Sequence, residues 1–503
     1  MTIPPINQID HRIKIWLLIV SLGALAALAA AALREEFGSE WRHYQRQYTD
    51  ILAAKATDEQ GRSLLKAHEI KLRQIVVPEL GVTDRCVSCH LGIDDPRMAA
   101  VSNPFKVHPG EYLRVHPVER FGCTICHRGQ GAAVVFAEAK AEDYHWDYPL
   151  LPIELTQSSC GLCHTPPEVD GAGGDRLASG ARLFEIKGCY SCHKLAGRGG
   201  SMGLALDREG LKVKGQMPMA NVAGPHTVPE WLMEHFADPQ KIVAGSQMRN
   251  PGLSYDETRA LTTYVLSLQE RDLPRSYISP ALNALLAERN NPSELSGEQL
   301  YNRFCSNCHD RGTYGRFDKA YNKFMPAIRG ASLVAYADSI FLAANIRSGR
   351  PGTMMPGWGI GAGGLSEAEI GRIISYLKSA PLPTDVPIRE MPASLDFSHG
   401  NPLQGGHTFA RLCVGCHGPG GIGNYAPALS NKIFQTTADS AFIYRTIAYG
   451  RIDAAMPAFR NPGRGGLSDA QIVDLVAYVR SLGARGTPRT AVASTGNPTG
   501  HKP

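Results

Sequence analysis

The sequence predicts a mainly α chain with much loop. It reads as one membrane-spanning helix, a short cysteine- and histidine-dense module, and three tandem small helical domains. Three observations predict this. An uncharged, apolar run of 19 residues stands near the N-terminus, Ile15 to Leu33. All 12 cysteines fall in pairs two residues apart, each pair followed at once by histidine. One helix–loop–Met–helix pattern then recurs three times between about 175 and 483. With 503 residues, 43% hydrophobic and 20% charged, the chain is neither polytopic nor disordered. A net charge of +5 without a basic run argues against nucleic acid as a partner.

The anchor is assigned to residues 1–34. As a helix, Ile15–Leu33 spans about 28 Å, enough to cross a bilayer core. Arg12 and Lys14 precede it, so the N-terminus is expected in the cytoplasm and the rest outside. A cleaved signal peptide is the competing reading; its apolar region is usually shorter. Residues 35–78 form a helical stalk. Trp41, Tyr44, Tyr48 and Leu52 recur at helical spacing, with Arg42, Gln45, Arg46 and Asp50 on the other face.

The six cysteine sites are Cys86/Cys89/His90, Cys123/Cys126/His127, Cys160/Cys163/His164, Cys189/Cys192/His193, Cys305/Cys308/His309 and Cys413/Cys416/His417. C-x-x-C-H is the attachment signature of haem c. Two thiols reach the two vinyl groups, and the adjacent histidine puts a nitrogen under the iron. Zinc sites use C-x-x-C pairs without requiring histidine next. Histidine is 17 of 503 residues, so six chance adjacencies have a probability on the order of 10⁻⁹. Six covalent haems with proximal His90, His127, His164, His193, His309 and His417 follow. No cysteine remains for a disulfide or a catalytic thiolate.

The first three sites occupy 79 residues, Cys86 to His164. That is too little chain for three apolar cores, so residues 79–170 form one triple-haem module whose cofactors supply its core. Three irons need three distal ligands. His108, His116 and His145 are the candidates inside the haem-dense stretch. His68 is held in reserve, His43 belongs to the stalk, and Met98 is a weaker sulfur candidate.

The repeats occupy 175–270, 292–382 and 400–484. Their closing helices start at Leu253-Ser254, Leu365-Ser366 and Leu467-Ser468, with Glu257, Glu369 or Gln471 three residues after each serine. That is a capping box. Tyr264, Tyr376 and Tyr478 follow each serine by ten residues. Met248, Met355 and Met456 precede the closing helices and are the candidate distal ligands, because a thioether raises a haem's potential. Pro356 and Pro457 follow two of them, whereas Arg249 follows Met248. Met355 is preferred to Met354 for its Met-Pro context. Trp358 is expected against its haem. Stretches 271–295 and 381–402 read as linkers, glycines 361, 363, 364, 463, 465 and 466 as turns, and residues 485–503 as a disordered tail.

The three repeats resemble class I cytochrome c domains over roughly 179–269, 296–380 and 403–483. The resemblance implies small α-helical folds, each wrapping one haem with an exposed edge. Residues 35–165, through Val107-His108-Pro109, Val115-His116-Pro117 and the first attachment motifs, resemble the multihaem module of membrane-anchored cytochromes that accompany respiratory complexes. This implies quinol-oxidising or other respiratory membrane subunits as partners; a soluble redox protein is the acceptor expected beyond the methionine-ligated domains.

The function expected is electron transport on the outer face of the bacterial cytoplasmic membrane, without catalysis by the chain itself. A haem enzyme, such as a peroxidase or nitrogen-oxide reductase with one open-site iron, is the alternative. A structural haem scaffold is a third reading. Each haem adds about two propionates, so the +5 becomes about −7 once roughly −12 is added.

Overall fold

The computed structural model describes residues 6–143, 145–287, 294–319, 321–351, 353–381, 391–451, 454–461 and 465–483. The tail expected at 485–503, Gly463, Arg464 and residues 382–390 of the 381–402 linker lie outside them. Among the described residues helices dominate, and the strands are three short antiparallel hairpins.

The anchor run lies in a helix of 33 residues, Ile6–Gly38. An 18-residue window here has mean hydropathy 2.4 and buries none of its surface in the protein. Trp16, Leu18 and Leu28 stand more than half exposed. The helix is long and apolar enough to cross a membrane.

Ser39 breaks the helix, and the stalk helix Glu40–Lys55 follows. Trp41, Tyr48 and Leu52 are buried as their spacing requires. Gln45 departs from the sequence reading: it is fully buried rather than on the polar face. Positions 41, 45, 48 and 52 form one stripe. The Gln45 amide satisfies itself there by donating to the carbonyls of Lys71 (2.8 Å) and Ser88 (3.0 Å) and accepting from Lys71 N. Ser88 lies inside the first C-x-x-C, so the stalk docks on the first attachment site.

The chain forms two compact units. One holds residues 1–180, 210–233 and 258–284; the other holds 181–209, 234–257 and 285–503. The repeat at 175–270 is thus divided between them. The reason is local. Arg128 donates to the Gly210 carbonyl, Tyr148 to that of Leu211, and Ser279 N to that of Cys163, fastening 210–233 and 258–284 to the cysteine-dense module.

Each repeat crosses an opening helix with its closing helix. The opening helices are Asp175–Ile186, Gly297–Phe304 and Pro402–Leu412; the closing ones are Tyr255–Ser267, Glu367–Lys378 and Asp469–Ser481. A glycine stands at every crossing. A Cβ on Gly180, Gly297 or Gly405 would come within 2.0–2.1 Å of the carbonyl oxygen of Ala260, Arg372 or Asp474. Only a bare backbone allows that approach. The capping boxes form at Ser254/Glu257, Ser366/Glu369 and Ser468/Gln471.

In the second unit, residues 300–377 and 409–479 build one continuous core, not two separate ones. Phe341 reaches Phe442 at 4.8 Å between ring centres. Trp358 is buried in this core against Phe304.

Candidate haem-attachment sites

All twelve cysteines are free of disulfides. Burial raises the thiol pKa of Cys89, Cys163, Cys192 and Cys413 to about 11 and of Cys189 and Cys305 to about 12. A redox dithiol needs the opposite shift. Cys86 goes down, through its hydrogen bond with Cys123. Among the described residues no three His, Cys, Asp or Glu side chains gather as a metal-ion cluster.

The twelve cysteines differ in exposure. Cys416 is exposed, whereas its motif partner Cys413 is half-buried. The reason is the one-turn helix Val414–His417. His417 takes its buried side, so the residue just before it turns toward solvent. The Cys416 backbone is nevertheless held: its N–H donates to the Cys413 carbonyl at 3.2 Å, and its carbonyl accepts from Ala426 N at 2.9 Å. Cys126 is likewise exposed.

The motif histidines are prepared as ligands. The Nδ1 atoms of His193, His309 and His417 lie 2.8, 3.1 and 2.9 Å from the carbonyls of Leu204, Pro326 and Pro427. A carbonyl only accepts, so Nδ1 carries the proton and Nε2 keeps its lone pair. Burial lowers the pKa of His90, His127, His309 and His417, favouring the neutral form a metal takes. The backbone acceptors lie 10 to 17 residues downstream and carry no side-chain signature, so the sequence does not reveal them.

The first three motifs abut. The buried Asp84 carboxylate accepts from Cys123 N (2.5 Å), Thr124 N and Thr124 Oγ1, capping the second motif from the strand that leads into the first. Ser159 Oγ donates to the Cys126 carbonyl at 2.7 Å, tying the third to the second. His108 faces His127 with ring centres 6.1 Å apart, and His116 faces His164 at 6.0 Å. His145 is exposed in a turn. His68 Nε2 is buried without a hydrogen-bond partner, beside Tyr48. His43 is on the stalk helix, and Met98 is core, packed with Tyr48, Leu52 and Phe105.

In the second unit the motifs also adjoin. The Asn307 amide donates to the Gly188 carbonyl, Tyr190 meets Phe304 at 5.8 Å, and Cys192 lies within electrostatic reach of Cys308. Arg249 joins the two. It donates to the Asn307 carbonyl (2.8 Å) and to the buried Asp318 carboxylate, over the Tyr321 ring. The residue that breaks the Met-Pro pattern is thus a cross-brace that sequence reasoning missed.

Of the three methionines, Met355 is half-buried and packs against the shared core, as does Met456. Met355 O and Met456 O accept from Arg350 N and Arg451 N, giving two loops of one shape. Met248 N and Met355 N each donate to a hydroxyl oxygen two residues back, on Ser246 and Thr353. Met355, not Met354, therefore shares the register of both other methionines.

These residues fit haem c. Besides thiols and lone pairs, the group brings propionates, and the protein has a cation waiting. Arg350 is half-buried near Arg451 and the His417 ring, its pKa lowered to about 10 by burial, and its Nε is without an acceptor among the described residues. A guanidinium partly withdrawn from water in this position calls for an anion.

The family model for "Cytochrome C oxidase, cbb3-type, subunit III" matches residues 292–377 and 400–479, and that for "Cytochrome c" matches 177–269. Two curated relatives, both the cbb3-type cytochrome c oxidase subunit FixP, come from Bradyrhizobium sp. strain ORS 278 and Bradyrhizobium diazoefficiens. They are 29% and 30% identical over 234 residues, covering 45% of this chain and 69% of each relative. The chain belongs to the c-type cytochrome family that includes FixP. This cytochrome is a haem protein of electron transport. A chain of the reducing HAO-like protein complex of Kuenenia stuttgartiensis aligns with 38% of the cytochrome and 97% of itself. Its identity is 22% and its TM-score 0.25, too slight a likeness to bear on the fold.

Proposed function

We propose that this cytochrome is a six-haem electron relay, anchored by its N-terminal helix and holding its haems outside the cytoplasmic membrane. The observation that carries the reading is the adjacency of attachment motifs. The first three are tied through Asp84 and Ser159, and the fourth and fifth through Asn307 and Arg249. Adjacent motifs keep the gaps between cofactors short.

The haems would supply reversible one-electron chemistry; the chain positions them and tunes them. Cys86/Cys89, Cys123/Cys126, Cys160/Cys163, Cys189/Cys192, Cys305/Cys308 and Cys413/Cys416 tether them. Met248, Met355 and Met456 complete the last three irons, and histidines complete the first three. Three small domains of the class I cytochrome c type, at 175–270, 292–382 and 400–484, hold the methionine-ligated haems. Thioether ligation raises potential relative to bis-histidine ligation. Electrons then run from the module next to the anchor toward the methionine domains. The donor is a quinol-oxidising membrane complex and the acceptor a soluble cytochrome or terminal reductase. The relatives' naming as cbb3-type oxidase subunits supports a place beside a respiratory membrane complex.

An optical redox titration of the full chain in detergent tests the direction. The three haems of the methionine domains should titrate above the three of the N-terminal module. The reverse order removes the driving force and the proposal with it.

A further inference from the structure

We propose that His108 is the sixth ligand of the iron held by His127, and His116 that of the iron held by His164. The assignment rests on the reading of covalent haems at these two motifs.

Two imidazoles on one iron have a fixed separation. Two metal–nitrogen bonds of about 2 Å, plus about 1 Å from each nitrogen to its ring centre, put the centres about 6 Å apart. The observed separations are 6.1 Å for His108/His127 and 6.0 Å for His116/His164. The ring planes lie at 73° and 89°, so neither pair is stacked. Spacing alone would also suit an edge-on contact. The ring nitrogens of the first pair favour ligation. His108 Nδ1 is 3.0 Å from the Pro109 carbonyl, which can only accept, so Nε2 keeps its lone pair. In the second pair, His116 lies edge-on to Phe121 with ring centres 5.1 Å apart, and the Glu168 carboxylate stands 4.0 Å from His164 Nδ1.

Both distal ligands come from one short strap between the first and second motifs, yet they serve the second and third irons. Tyr112, between them, pins the strap by donating to the Gly173 carbonyl at 2.9 Å. One segment therefore clamps two neighbouring haems.

The test uses the full chain in detergent. Intact mass counts haems, and electron paramagnetic resonance of the oxidised protein counts high-spin irons. His108→Ala and His116→Ala should each convert one low-spin haem to high spin, and added imidazole should restore it. A merely structural histidine gives no such rescue. The pairing is read from double variants. His108→Ala with His127→Ala should affect one haem only, whereas His108→Ala with His164→Ala should affect two; for His116 the pattern reverses. If a proximal substitution blocks attachment, the matched double shows one haem missing and no high-spin iron. The crossed double shows one missing and one high-spin. Two affected haems in a matched double, or one in a crossed double, overturn the pairing. Fewer than six haems in the unaltered chain would instead overturn the underlying reading.

Discussion

Arg249 occupies the position that proline fills after Met355 and Met456. Its guanidinium holds the fifth attachment motif through Asn307 and neutralises the buried Asp318. Arg316 also reaches Asp318, at 3.1 Å, so the carboxylate keeps one partner when Arg249 is removed. Arg249→Ala should then cost about 1–3 kcal/mol, the range for a charge-assisted bond lost in a partly buried site. It should also weaken the sulfur-to-iron charge-transfer band in the far red, because the loop carrying Met248 loses its brace. A thermal melt and an oxidised-state spectrum check this; an unchanged melt and an undiminished band would contradict it. From sequence alone Arg249 reads only as a missing proline. Its partners lie 58 and 69 residues away, and no local pattern encodes them. Gln45 is misread for a similar reason: a polar residue on a buried stripe is legible only once Lys71 and Ser88 are seen to satisfy it. The exposure of Cys416 is hidden in the same way, since its motif reads like the other five.

The opening and closing helices show where local pattern suffices and where it stops. Serine and glutamate or glutamine three residues apart encode the capping boxes directly, and all three form. The glycine at each crossing has no such local signal, since a glycine within a helix looks like a weakness. Two glycines in the second repeat should therefore respond oppositely. A Cβ on Gly297 would meet the Arg372 carbonyl at 2.1 Å, whereas Gly371 has open space around it. Gly297→Ala should destabilise by about 1–3 kcal/mol through overpacking. Gly371→Ala should stabilise by up to about 1 kcal/mol through helix propensity. Thermal melts of both variants decide. Equal shifts of the same sign would mean the close crossing is not what the glycine serves.

Across the whole molecule, the six C-x-x-C-H motifs mark the proposed tethers and proximal ligands by position. They do not give the neighbour relations, which depend on contacts such as Asp84 to Cys123 and Asn307 to Gly188. The shared core of residues 300–377 and 409–479 is equally invisible, because each repeat's apolar pattern satisfies a separate small domain as well as a fused pair. The charge balance changes at this scale too. Half-buried cations such as Arg350 sit beside the attachment motifs, where propionates would turn the formal +5 to about −7. The proposed relay requires six haems on twelve cysteines. The mass of the purified full chain after denaturation, combined with a free-thiol titration, tests this. A six-haem chain shows a mass increment of six haems and no free thiol, Cys416 included; a smaller increment with reactive thiols remaining would contradict it.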